Sequence, residues 1–183
     1  MATTNLEYAS TISSNWTVDI ARVASDDGTY AKAGSLGQIA VIALTNLPAG
    51  ASSVNSVQVV VKDTFVELRG GRGTITTGIS DASGTFYNEN TDIDENPLTY
   101  TLTERTTSDG SAAWTVSQIN DLRLTFVALG AIPHIGAGIQ IDYVKAIVDY
   151  NTGYGHDISG VASANIGNIS GVATANIGNI IGV

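Results

Sequence analysis

The sequence predicts an all-β fold, an antiparallel and jelly-roll-like β-sandwich with one short helix and an extended C-terminal repeat tail. Three observations lead there. Apolar and polar residues alternate at period two in several separate runs, Gly- and Asp-rich turn clusters divide those runs, and no strand is followed by a long helical pattern. Composition agrees. Of 183 residues, 43% are hydrophobic, 14% charged and 20 are glycine, and there is no cysteine, which is the balance of a turn-rich β protein with neither disulfides nor thiolate metal sites.

Taken in chain order, residues 1–35 are expected to form an N-terminal arm with the first strand or strands, 36–150 the sandwich, and 151–183 a tail. Leu36 to Leu44 is a buried-type strand run. Val57, Val59 and Val61 alternate with Gln58, Val60 and Lys62. Tyr100 and Leu102 alternate with Thr, Leu122, Leu124 and Phe126 with Arg123 and Thr125, and Ile139, Ile141 and Tyr143 with Gln140 and Asp142. The turn clusters are Ser25–Gly28, Leu47–Gly50, Gly70–Gly73, Ser80–Gly84 and Thr107–Gly110. The helix falls at Val116 to Asp121, where Thr115 and Gln118 have the spacing of a capping box. Trp114, just before it, reads as a core plug fixing the helix to the sandwich. From Tyr143 onward both parities are apolar, so that strand is either central or covered on its second face by another chain, with Tyr143 and Ile147 as interface candidates.

Charge and hydropathy exclude several partners. Seventeen carboxylates face eight Lys and Arg, a net charge of −9, which leaves no electrostatic footprint for nucleic acid. No apolar run is long enough for a membrane helix, and the N-terminus lacks the basic and apolar regions of a secretory signal. No membrane partner is expected.

Catalytic chemistry has no visible home. His134 and His156 stand in no metal-ligand spacing, and the sequence holds no H-E-x-x-H, G-x-S-x-G or P-loop motif. No enzyme activity and no cofactor are expected. The densest polar stretch, Asn88 to Asn96, reads as a solvated acidic loop. Its Asp92, Asp94 and Glu95 are the candidate cation ligands, but the EF-hand pattern fails because Ile93 takes the glycine position and Thr99 the final Glu position. For a glycan site the exposed-aromatic candidates are Trp16 and Tyr87, with Phe86 beside them.

The tail carries an eleven-residue repeat, Ile158 to Asn168 and Ile169 to Asn179, in which only Ser163 and Thr174 differ, followed by a truncated third start at Ile180. Ile158, Ala162, Ile166, Ile169, Ala173, Ile177 and Ile180 are spaced as on a helical seam. Each copy also holds two glycines, costing about 1 kcal/mol apiece in a helix interior. The alternative is a turn-punctuated ribbon whose apolar side chains dock on another subunit. Its contact residues would be Ile158, Val161, Ile166, Ile169, Val172, Ile177 and Ile180.

Leu47-Pro-Ala-Gly-Ala51, Val54 to Val61, Ala113 to Leu122 with its Trp-Thr and Asn-Asp-Leu, Ile141 to Tyr150, and the ISGVA-x-ANIGN repeats together resemble small β-sandwich virion proteins of tailed bacteriophages. The resemblance covers roughly residues 45 to 183 and carries no catalytic residue. It implies a non-enzymatic particle protein, a capsid decoration or cement protein assembled in the host cytoplasm. Its partners would be the major capsid protein or another virion protein, and copies of itself as a dimer or trimer. The alternative is a head- or tail-fibre domain that binds host-surface glycan.

Overall fold

The computed structural model describes residues 2–67, 70–129 and 138–153, together with the backbone of 168–169 and 172–173. The sandwich strands are β1 (Ala2–Ser14), β2 (Ala31–Ala33), β3 (Ile39–Leu44), β4 (Ala51–Val66), β5 (Arg72–Asp81), β6 (Gly84–Asp94), β7 (Leu98–Thr101), β8 (Arg123–Leu129), β9 (Ile139–Ile141) and β10 (Tyr143–Thr152). A single α-helix, α1 (Val116–Asn120), and a 3-10 turn at Ile20–Ala24 complete the described body. All strand pairs are antiparallel, so the expected all-β sandwich with one short helix is the fold.

One layer runs β7-β4-β10-β1 and the other β1-β3-β8-β5-β6. Strand β1 belongs to both. Its residues 2–7 pair with β10, its residues 8–14 pair with β3, and register shifts at Tyr8/Ser10 and Thr11/Ser13 turn the corner between them. Strand β4 is shared in a similar way, pairing with β10 along most of its length and with β9 at Phe65 and Val66.

Inward-facing residues alternate along each strand and form one core. Val57, Val59, Val61, Val144, Ala146 and Val148 come from the first layer, and Ala40, Ile42, Ile75, Ile79, Leu124 and Phe126 from the second. A buried polar contact also crosses between layers, since the Tyr100 hydroxyl of β7 meets Thr77 Oγ1 of β5 at 2.9 Å. Helix α1 starts as the sequence predicts. Thr115 accepts from the Gln118 N–H at 3.2 Å and the Gln118 side chain accepts from the Thr115 N–H at 3.0 Å. Trp114 is buried beneath it, and its indole N–H donates to the Arg105 carbonyl at 3.0 Å.

Three expectations are corrected. The run from Leu36 becomes strand only at Ile39, because Gly37 adopts φ 75° and turns the chain, leaving Leu36 53% exposed. The apolar run from Ile139 is two strands with a break at Asp142. The break moves the inward positions from Ile139 and Ile141 to Val144, Ala146 and Val148, and from Tyr143 onward Tyr143 and Ile147 occupy the other, half-buried face. Strand β10 is therefore central, with β1 on one side and β4 on the other. Finally, Asn88 to Asp94 is not a loop. It is the body of edge strand β6, with Tyr87, Glu89, Thr91 and Ile93 turned inward and Asn88, Asn90, Asp92 and Asp94 turned out.

Burial of the Tyr100 phenol raises its pKa above the ordinary tyrosine value of 10.0, so the folded state keeps a proton that the unfolded chain gives up near that pH. Stability is thus expected to fall as pH rises above about 10. Tyr100→Phe should reduce the alkaline decline while costing about 1–3 kcal/mol at neutral pH, because Thr77 loses its partner. Urea unfolding midpoints at pH 7 and pH 10.5 measure both effects.

Candidate functional site

Of the residues singled out in the sequence, His134, His156, Ile158, Val161, Ile166, Ile177 and Ile180 lie outside the described residues. Ile169 and Val172 are described in backbone only. They face each other across a short antiparallel ladder, β11 (Asn168–Ile169) with β12 (Val172–Ala173), which is a sheet of its own, separate from the ten strands of the sandwich. This pairing matches the ribbon rather than the helical seam at that part of the repeat.

Tyr143 and Ile147 lie on the outward face of β10 and are half-buried. Tyr143 donates its hydroxyl to Glu7 Oε1 at 2.8 Å. That hydrogen bond, the Glu7 charge and above all burial push its pKa up to about 12. Ile147 stands between Asn5 of β1 and Gln58 of β4.

The aromatic candidates for glycan contact are not free platforms. Trp16 is only 8% exposed and packs edge-on against Phe126, with ring centroids 6.3 Å apart. Its expected role on a loop is corrected: the side chain serves the core. Tyr87 is half-buried, donates to the Thr107 carbonyl at 2.8 Å, and has the Arg105 guanidinium over its ring at 4.3 Å. Arg105 also pairs with Glu89. Burial alone would raise the Glu89 pKa, but the Thr103 N–H, at 3.1 Å, and the Arg105 charge hold it below the usual carboxylate value. These groups clasp β6 to the segment that follows β7.

The acidic candidates do not converge either. Asp92 accepts from the Thr74 hydroxyl at 2.8 Å, and Asp94 accepts from the Asn96 N–H at 2.8 Å. Glu95 accepts from the Gly70 N–H. Asp92 and Asp94 line an open groove of about 640 Å³ together with Arg72, Thr74, Asn96 and Leu98.

Among the described residues, the acidic group close enough to hold a metal is a different one. One carboxylate oxygen each from Asp26, Asp63 and Asp142 lies within 4.8 Å of the others. Asp26 comes from the loop after the 3-10 turn. Asp63 interrupts β4 with a left-handed φ of 47°, where the strand leaves β10 for β9, and Asp142 is the break between β9 and β10. The sequence signal was present: each of these last two carboxylates stands inside an apolar strand run. What hid the group is that its members are 37 and 79 positions apart along the chain.

Comparison with known proteins adds little. No family model and no curated protein matches the chain. Among solved structures, a truncated AlyQ with CBM32 and alginate lyase domains aligns at TM-score 0.38 and 13% identity, over 85% of this chain and 36% of that one. The apo CBM1 of BiXyn10A aligns at TM-score 0.36 and 14% identity, over 78% of this chain and 95% of that one. This chain therefore spans about a third of the length of the AlyQ protein. Neither likeness assigns a residue or a ligand to it.

The Glu89 clasp predicts acid sensitivity. A carboxylate with a lowered folded pKa contributes stability above its unfolded value of 4.5 and loses it as pH falls further. Glu89→Gln is expected to lower the thermal midpoint at pH 7 and to narrow the gap to wild type at pH 3, as read by circular dichroism.

Proposed function

We propose that this chain is a non-enzymatic structural protein of a tailed-phage virion, a capsid decoration protein whose repeat tail docks on neighbouring subunits. One observation carries the reading. Asn168–Ile169 pairs with Val172–Ala173 in a ladder of two residues per strand, outside the sandwich sheet. A two-stranded ladder of that size does not hold together alone in water.

The sequence around it gives the reason to look for a partner surface. The Ile-Ser-Gly-Val of residues 169–172 also occupies 158–161, and Asp157 is the one charged side chain of residues 151–183. Disordered solvating segments are usually charged and poor in β-branched residues, whereas these repeats carry Ile and Val at fixed intervals. Several weak contacts per tail become firm when a lattice holds their partners at high effective concentration. Among the described residues the core cluster runs from Leu6 to Tyr150, which is why the sandwich is expected to outlast removal of the repeats.

The test is deletion of residues 158–183. The shortened chain is expected to keep its sandwich, with a thermal midpoint close to that of the full chain, and to drop out of purified particles. Full incorporation of the shortened chain would overturn the docking role. Specific, saturable binding of the intact chain to a glycan array would instead favour a fibre domain that grips host sugars.

A further inference from the structure

We propose that Asp26, Asp63 and Asp142 form a site for one calcium ion at the joint of β4, β9 and β10. The proposal does not depend on the virion reading.

A cluster of surface acids would say nothing by itself, but this one includes an unusual member. Asp142 is 2% exposed. Its Oδ2 accepts the Gly28 N–H at 3.2 Å and the Asp27 N–H lies close to the carboxylate, while Oδ1 is buried without a hydrogen bond of good geometry. An ionised oxygen shut away from water and from well-placed donors is costly unless a cation or a proton meets it. One ammonium reaches the cluster, Lys62, whose charge acts on Asp26, Asp63 and Asp142 together, so three carboxylates share a single cation. It pairs with Asp26 at the exposed side of the cluster. The other ionisable neighbours, Asp27, Tyr30, Tyr143 and Glu7, bring no positive charge.

The donor set selects the ion. All three ligands are carboxylates, and the group contains no His and, in this chain, no Cys, so a hard oxygen-seeking cation fits better than zinc or copper. Magnesium demands near-ideal octahedral geometry and gives up its waters reluctantly, so three carboxylates from separate elements suit calcium better. The three oxygens lie within 4.8 Å of one another. Calcium also tolerates irregular coordination and could take its remaining oxygens from water and backbone carbonyls.

The position gives the ion a purpose. Asp63 and Asp142 mark the point where β4 exchanges one partner strand for another, and Asp26 belongs to the loop that follows the 3-10 turn. An ion held by all three would pin that loop to the sheet at its least regular point and cancel the mutual repulsion of the carboxylates.

The experiment uses the full chain, stripped with EDTA and titrated with calcium chloride in a calorimeter, with thermal unfolding measured in parallel. One calcium per chain is expected. The unfolding midpoint should rise by roughly 5–10 °C when calcium is about a hundredfold above its Kd, and magnesium should bind at least tenfold more weakly. Asp142→Asn should abolish binding, yet in EDTA it should be at least as stable as wild type, since it removes a buried unpaired charge. Exposed Asp26→Asn, the safer variant for folding, should weaken binding tenfold or more, and Asp92→Asn should leave it unchanged. No binding heat and an unmoved midpoint in millimolar calcium would overturn the proposal. So would binding that survives both Asp26→Asn and Asp142→Asn but is lost in Asp92→Asn.

Discussion

Two strands hold this fold together because each hydrogen-bonds to different neighbours along its length. Strand β1 leaves β10 for β3 after Glu7, and strand β4 leaves β10 for β9 after Lys62. A sandwich made of two unconnected sheets would rely on side-chain packing alone. Here the backbone ladder itself passes from one layer to the other through β1, and the register shifts after Tyr8 let it bend without orphaning a long stretch of N–H and C=O groups. The hydrophobic core fills the space this closure defines.

Each transfer leaves a local irregularity in the chain. At the β4 joint the chain places Asp63 in a left-handed conformation and buries Asp142 between two short apolar strands. On the far edge of the second layer the problem is different. Among the described residues strand β6 pairs with β5 alone, so its outer side would template another strand. Asn88, Asn90, Asp92 and Asp94 point outward along it. A row of carboxylates and amides on an edge discourages pairing with a second copy.

Much of this was legible from the residues. Val57, Val59 and Val61, and Leu122, Leu124 and Phe126, are buried in the alternation that the sequence shows, because one face of each strand meets the core. The Thr115–Gln118 capping box set the start of the helix, since it depends on side chains only three positions apart. Strand β1 was far less visible. Leu6 is its one fully buried residue, and Thr, Asn and Ser fill most of the rest, so its place comes from pairing with β10 and β3 rather than from its own pattern. The period-two spacing of Asn88, Asn90, Asp92 and Asp94 was visible too, but it is the outward face of a strand and not a ligand loop. The Asp26, Asp63 and Asp142 group needed the three-dimensional fold, because only sheet pairing brings β4 and the β9–β10 break together.

The sandwich closes on itself, and the described part of the repeat forms a ladder of two residues per strand outside it. Amide hydrogen exchange over residues 158–183 compares the two situations most directly, measured on the isolated chain at low concentration and again on assembled particles. Docking on other subunits predicts slow exchange that appears only on assembly. Equally slow exchange in the isolated monomer would mean that the repeat is sheltered within its own chain, and would contradict the account.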